Sequence, residues 1–167
     1  MAEPVSPLRI KEATKEDVPL ILSFVRELAQ YEKALDKVTA TEEGLRAALF
    51  GPRPYAEAVI VYGNDEAVAF AIYFFSFTSF SARPCLYLED IFVRTSSRGS
   101  GVGRKLFAFL AKRAIERDCA RMEWAVLNWN QPAINFYKRL GATPVNDWTV
   151  FRLSDENLAQ LATETSQ

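Results

Sequence analysis

One stretch constrains this chain more than any other: residues 86–110, LYLEDIFVRTSSRGSGVGRKLFAFL. Leu86, Leu88, Asp90 and Phe92 alternate with Tyr87, Glu89, Ile91 and Val93, the two-residue period of a strand. Ser96, Ser97 and Gly99 break the strand. Arg98-Gly99-Ser100-Gly101-Val102-Gly103 then turns the chain into a helix whose Leu106, Phe107, Leu110, Ala111 and Ala114 share one face. Such a turn leaves several backbone N–H groups unpaired at a helix start, where the macrodipole adds positive potential. It is a candidate seat for phosphate or pyrophosphate. The glycines do not fit G-x-G-x-x-G, and no Gly-Lys-Ser/Thr follows, so neither a dinucleotide fingerprint nor a P-loop is supported.

Composition removes several classes of function. A chain of 167 residues is most simply one domain, long enough to bury roughly two-thirds of its unfolded surface. Its net charge of −1 gives no electrostatic footprint for nucleic acid or an anionic membrane. The complete absence of histidine excludes imidazole bases, histidine triads and most catalytic zinc sites, and no metal site is expected. Two cysteines, Cys85 and Cys119, make no disulfide framework and fit a reducing compartment. With no apolar leader and no apolar run near ~18 residues, a cytoplasmic protein without a membrane anchor is expected.

In chain order, residues 1–7 read as a loose lead-in and residues 8–13 as a strand. Thr14 with Asp17 opens an irregular turn before a helix carrying Ile21, Val25 and Leu28 on one face and ending near Tyr31-Glu32. Thr39-x-x-Glu42 has capping-box form and starts a second helix stopped by Gly51-Pro52. Residues 55–62 and 67–77 read as strands joined by a Gly63-Asn64-Asp65 hairpin. The second strand is unusually aromatic, with Phe70, Tyr73, Phe74, Phe75 and Phe77. Sheet core on both faces is the plain reading, and an exposed remainder would suggest an oligomer interface. Residues 78–84 read as a loop. Past the glycine turn and its helix, residues 121–127 read as a strand. Asn130 caps a helix with Pro132 in its first turn and Gly141 at its end. Residues 148–153 read as a last strand and 155–162 as a terminal helix. The fold class read from this order is mixed α/β, in a single domain.

The spacing Arg98-x-x-Gly101-x-Gly103 resembles the acetyl-CoA pyrophosphate loop of the GNAT acyltransferase superfamily. With Tyr87-Leu88-Glu89-Asp90 before it and Asn135-Phe136-Tyr137-Lys138-Arg139 after it, the chain resembles the spermidine/spermine (diamine) acetyltransferase branch. Within that branch it is most similar to the thialysine N-epsilon-acetyltransferase relatives. The resemblance runs from about Ile10 to about Phe151. It implies a GNAT fold, a mostly antiparallel central sheet with flanking helices, together with acetyl-CoA as donor, a primary amine of a small basic metabolite as acceptor, and a homodimer.

Acetyl transfer from a thioester to an amine needs a donor at the thioester carbonyl, a deprotonated amine and a proton for the departing thiolate. From periodicity alone Tyr137 is a core tyrosine on the face of Ala133, Phe136 and Leu140. The resemblance implies instead that it is the general acid, since a phenol titrating near ~10 carries its proton at neutral pH. Glu89 and Asp90 are adjacent, so regular strand geometry sends them to opposite faces. One of them could simply pair with an arginine at a sheet edge, and a β-bulge, common here in the superfamily, would change both directions. By resemblance Glu89 is the base, acting through a water, and Asp90 binds the amine.

The remaining roles are likewise implied by the resemblance. Ile91, Phe92 and Val93 would pair with the pantetheine arm, and one N–H among them would polarise the thioester. Arg98, Gly99, Ser100, Gly101, Val102, Gly103 and Arg104 would wrap the pyrophosphate, with Asn130, Gln131, Pro132 and Ala133 completing the cofactor contacts. Lys138 and Arg139 are either phosphate or ribose contacts or a solvated basic stripe. Tyr31, Glu32, Glu123, Trp124 and Ala125 join Glu89 and Asp90 around the acceptor, with Glu123 and Trp124 on the strand facing the cleft. The chain departs from many family members in two places. Thr78-Ser79-Phe80 replaces an Asp-Pro-Trp, and the segment between Gly141 and Trp148 is short, so fewer carboxylates await a long polycation. A non-catalytic acyl-CoA-binding module and a protein N-acetyltransferase are the alternatives, and the presence of both Glu89 and Tyr137 favours an enzyme.

Overall fold

The computed structural model describes residues 7–166, so the expected lead-in falls outside them except for Pro7. The chain divides into two compact units, Met1–Asn130 and Gln131–Gln167.

The first unit is a five-stranded sheet in sequential order: β1 (Arg9–Glu12), β2 (Glu57–Gly63), β3 (Glu66–Thr78), β4 (Arg83–Val93) and β5 (Met122–Trp124). The first four strands are antiparallel and β5 runs parallel to β4. Asn64 and Asp65 both adopt positive φ, 50° and 63°, between β2 and β3, as a tight primed hairpin turn requires. β4 begins at Arg83, shortening the expected 78–84 loop. Arg83 donates to the backbone oxygens of Asp118 and Cys119, at 3.0 and 3.1 Å, and ties the strand start to the connector before β5.

Three helices cover the sheet. A single 3-10 turn, Lys15–Asp17, precedes α1 (Val18–Tyr31), with the Thr14 N–H donating to Asp17 Oδ2 at 2.8 Å and Pro19 in the first turn. α2 spans Glu42–Phe50, but its cap is Thr41, whose hydroxyl accepts the Gly44 N–H at 3.1 Å. The expected cap at Thr39 starts the helix two residues early; Thr41 holds the extended backbone that a cap needs. α3 spans Val102–Glu116.

Cross-strand register assigns the faces. Ala58, Ile60, Phe70, Ile72 and Phe92 pack with Ile21 and Phe24 of α1 and Leu49 of α2. The Phe24 and Phe70 rings stack at 5.1 Å. The opposite face presents Val59, Val61, Ala69, Ala71, Tyr73, Leu86 and Leu88, and α3 packs on β3 and β4. Its Leu106 and Leu110 are fully buried, each such side chain contributing roughly 1.5–3 kcal/mol. The aromatic strand splits as the sheet would have it: Phe70 and Tyr73 are core, whereas Phe77 and Phe80, at the far end of the β3–β4 hairpin, are 68% and 97% exposed.

In the second unit, α4 spans Gln131–Arg139 and α5 spans Asp155–Ala162, followed by a 3-10 turn. α4 ends where Gly141 takes φ 91° and its N–H donates to the Lys138 carbonyl at 3.0 Å. The expected strand at residues 148–153 is not formed: the segment carries no strand pairing. Alternation supplies a strand pattern, but only a partner edge turns it into a strand. The strand expected over residues 121–127 is shortened to Met122–Trp124 for the same reason. Among the described residues no helix is long and apolar enough to cross a membrane.

Candidate active site

The site is built on an irregularity in β4. Tyr73 pairs with Leu88, and its neighbour Ile72 pairs with Asp90, so Glu89 is an extra residue. This β-bulge overturns the simple alternation of Leu86, Leu88, Asp90 and Phe92. Leu86 and Leu88 lie on the α3 face, and Asp90 and Phe92 on the face of α1 and α2. Glu89 itself is exposed.

The bulge also changes which backbone groups look outward. Leu86 N–H donates to the Arg121 carbonyl beside β5, at 3.0 Å. At the far end Arg94 N–H donates inward to the Val68 carbonyl of β3, at 2.9 Å. Alternation then places the N–H groups of Ile91 and Val93 on the outer edge. Among the described residues that edge is open, because β5 pairs with β4 only from Leu86 to Leu88. Of the three residues expected to offer a donor, these two have the right direction.

The strand runs into the glycine turn. Gly99 and Gly101 have φ of 80° and 86°, and a Cβ added at either would meet nothing within 4 Å. Glycine is needed here for the backbone angle, and the space before the loop is open. Ser100 Oγ donates to the Ser97 carbonyl at 2.7 Å and tightens the turn. Gly101 is the N-cap of α3, so the first N–H groups of that helix have no intrahelical acceptor. Positive-φ glycines, open space, a helix start and an unpaired strand edge in succession fit an extended thioester carrier with a pyrophosphate.

On the α1 face, three acidic groups gather. Partial burial, and then the Glu89 and Glu32 carboxylates, push the Asp90 carboxyl up to about 6. Burial also pushes the Glu32 carboxyl up. A partly desolvated carboxylate with like-charged neighbours lowers its energy by taking a cation. Tyr31, next to Glu32, donates its hydroxyl to the Oδ1 atom of buried Asn130, at 3.1 Å. Its ring meets those of Phe92 and Trp129, with centroids 6.3 and 6.0 Å away. A cleft of about 470 Å³ continues from Tyr31 and Phe92 past Glu27, Gln30 and the Arg94–Ser96 turn. Arg94 and Glu27 form a two-pronged ion pair there, at 2.7 and 3.0 Å.

Not every expected residue faces this way. Glu123 is in register with Tyr87 and Trp124 with Leu88, so they lie on opposite faces. The Trp124 ring meets Phe107 of α3 at 5.1 Å and serves that core. Glu123 accepts from Arg121 Nε at 2.8 Å. Ala125 follows the strand and is exposed. Arg98 turns back along β4 instead of reaching beyond its loop: its Nε donates to the Val93 carbonyl at 2.9 Å. Gln131, Pro132, Ala133 and Tyr137 belong to the second unit, where Ala133, Phe136 and Tyr137 of α4 and Leu140 just after it are half-buried and the Phe136 and Tyr137 rings meet edge-on at 5.7 Å. Trp129 was not anticipated. Its signal was an aromatic immediately before the expected cap Asn130, too common a pattern to single out.

Comparison with known proteins identifies the assembly of motifs. The model of the acetyltransferase (GNAT) family matches residues 23–142. The chain belongs to the GNAT acetyltransferase family. Thialysine N-epsilon-acetyltransferase of Bos taurus is 38% identical over 164 residues, covering 92% of this chain and 96% of that protein. L-ornithine N5-acetyltransferase of Arabidopsis thaliana is 31% identical, covering 90% and 86%. Among solved structures, an integron cassette protein from the mobile metagenome of V. cholerae superposes with a TM-score of 0.77 at 29% identity, over 93% of this chain and 97% of that one. The mixed sheet with flanking helices is thus the GNAT fold, the chain is an acetyltransferase, and acetyl-CoA is the donor used by its family.

Proposed function

We propose that this acetyltransferase moves an acetyl group from acetyl-CoA to the primary amine of a small basic metabolite, a thialysine-like amino acid or a short diamine, by direct transfer in a ternary complex. The observation that carries the reading is the half-buried Asp90 carboxylate, with Glu32 and Glu89 about it, beside the open edge of β4. Such a group calls for a compact ammonium. The relatives acting on thialysine and ornithine, both small basic amines by name, support the same class.

Acetyl-CoA brings an acyl group already activated as a thioester. Residues 98–104 would hold its pyrophosphate. The outward groups of Ile91 and Val93, with Phe92 between them, would hold its arm, and Asn130, Gln131, Pro132 and Ala133 its flank. The Ile91 N–H is the donor for the acyl carbonyl, being first after the bulge. Tyr31, Glu32 and Asp90 hold the ammonium, with Glu123 on the same face of the sheet. Glu89, exposed at the bulge, takes the amine proton through a water, and Tyr137 holds the proton for the departing thiolate. Both units form one catalytic domain in this reading. The protein works in the cytoplasm as a homodimer, with exposed Phe77 and Phe80 as candidate interface groups.

The test is an acetyl-CoA turnover screen over diamines, lysine analogues, amino acids and short peptides. Small basic amines should lead. A preference for peptides by tenfold or more in kcat/KM would replace this reading with protein acetylation.

A further inference from the structure

The rings of Tyr31, Phe92 and Trp129 meet on the α1 face, and the chain already lays its own cations on them. The Arg98 guanidinium lies 4.6 Å from the Tyr31 ring centre and 5.5 Å from that of Phe92. Lys33 Nζ lies 5.7 Å from the centre of Trp129. All three distances are within the ~6 Å at which a ring face attracts a cation. Because the Tyr31 hydroxyl is engaged with Asn130, what Tyr31 offers a ligand is its ring face, and that face is taken.

Arg98 is also the first residue of the glycine turn, and its Nε holds the Val93 carbonyl on the open edge of β4. One guanidinium therefore stands on the acceptor's ring surface and on the edge assigned to the donor. Arginine pairs strongly with phosphate oxygens, and a pyrophosphate beside the turn competes for it better than the half-buried Tyr31 ring and that of buried Phe92 do.

We propose that the Tyr31–Phe92–Trp129 surface binds the acceptor's alkylammonium, that Arg98 is its internal stand-in in the ligand-free protein, and that a pyrophosphate-bearing donor draws Arg98 away and opens the surface. The proposal rests on the acetyl-CoA and amine reading above. It makes the two ligands cooperative. Amine binds poorly to the free protein, because a second cation must displace Arg98 without compensation. It binds well once the pyrophosphate has neutralised that charge, and by reciprocity the amine strengthens donor binding by the same factor.

The experiment titrates thialysine calorimetrically into the protein alone and into the protein saturated with CoA, which has the pyrophosphate but no acetyl group. Two ring contacts released from Arg98 correspond to about five- to thirtyfold tighter amine binding with CoA present. Arg98→Gln should bind thialysine without CoA five- to thirtyfold more tightly than the parent, with CoA adding less than twofold. Tyr31→Phe keeps the ring face and should keep the cooperativity, whereas Tyr31→Leu should lose it, with thermal melting confirming each fold. No cooperativity in the parent, or unchanged CoA-free amine affinity in Arg98→Gln, overturns the proposal. If the turnover screen shows amine acetylation while Arg98→Gln changes no affinity, only this inference falls. If no small amine is acetylated at all, the functional reading falls first.

Discussion

Asp90 shows how a single carboxyl can trade stability for binding. Its folded-state value, near 6, lies above the ordinary 3.8 because burial and two acidic neighbours disfavour the charge. A group raised in this way favours the folded state below the unfolded value and loses that contribution as pH rises through the folded one. Asp90→Asn should therefore stabilise the protein at pH 7.5 by about 1–3 kcal/mol, with the gain vanishing below about pH 4. Denaturant titrations at the two pH values check this, and thialysine KM should rise in the same variant. Tyr137 is read in the opposite sense, as a group that acts only in the transition state. Tyr137→Phe should lower kcat by roughly ten- to a thousandfold and leave acetyl-CoA affinity within a few-fold. An unchanged kcat, with acetyl transfer shown to be rate-limiting, would return it to a packing role on the half-buried face of α4. The grouping of Glu32 with Asp90 came only through the family resemblance and Trp129 was not read at all, because both depend on residues that meet only after folding: Glu32 lies 58 positions before Asp90 and Tyr31 lies 98 before Trp129.

At the scale of elements, the strand–turn–helix unit was legible because each part has a local cause: alternation, positive-φ glycines and a helical apolar stripe. Gly101→Val tests the turn. No neighbour crowds the added side chain, so the cost is the φ of 86°, which a β-branched residue adopts poorly. Acetyl-CoA affinity should fall at least tenfold in calorimetry while the fold persists; normal binding would make the turn structural only. The face assignment of β4 was less legible. Alternation predicts it correctly up to Leu88 and inverts it afterwards, since a bulge depends on the partner strand and leaves no composition signal. The Thr39 cap and the strand at residues 148–153 failed likewise: a local pattern existed, and the tertiary setting selected otherwise.

The molecule as a whole carries two further expectations. Phe77 and Phe80 expose large apolar faces at one end of the sheet, and a twofold interface is the commonest way to cover such a patch. Light scattering at micromolar concentration should return twice the 18.8 kDa chain mass, and Phe80→Lys should shift it towards monomer. A parent that is monomeric would refute the dimer. Acceptor choice follows from where the acids lie. Glu32 and Glu89 lie close enough to Asp90 to raise its carboxyl, whereas Thr78, where the resemblance leads one to expect a carboxylate, brings none. In one buffer, kcat/KM should therefore rank thialysine and putrescine above spermine. Spermine ahead by tenfold or more would show that the missing carboxylates do not matter. The mixed α/β class followed from pattern and this ranking from the family resemblance; the structure adds that Glu32 and Glu89 lie close enough to Asp90 to raise its carboxyl.

The extra residue at Glu89 behaves as a half-period phase slip written into β4. Upstream the strand keeps time with the sheet, and downstream every side chain and every N–H is inverted. Deleting Glu89 would remove the slip: Asp90 would follow Leu88 directly, still opposite Ile72 on the face it already holds, and the Ile91 N–H would still point outward. Substitutions along this strand adjust the chemistry one group at a time, whereas losing Glu89 would take away the bulge and its exposed carboxylate together and leave the downstream faces as they are.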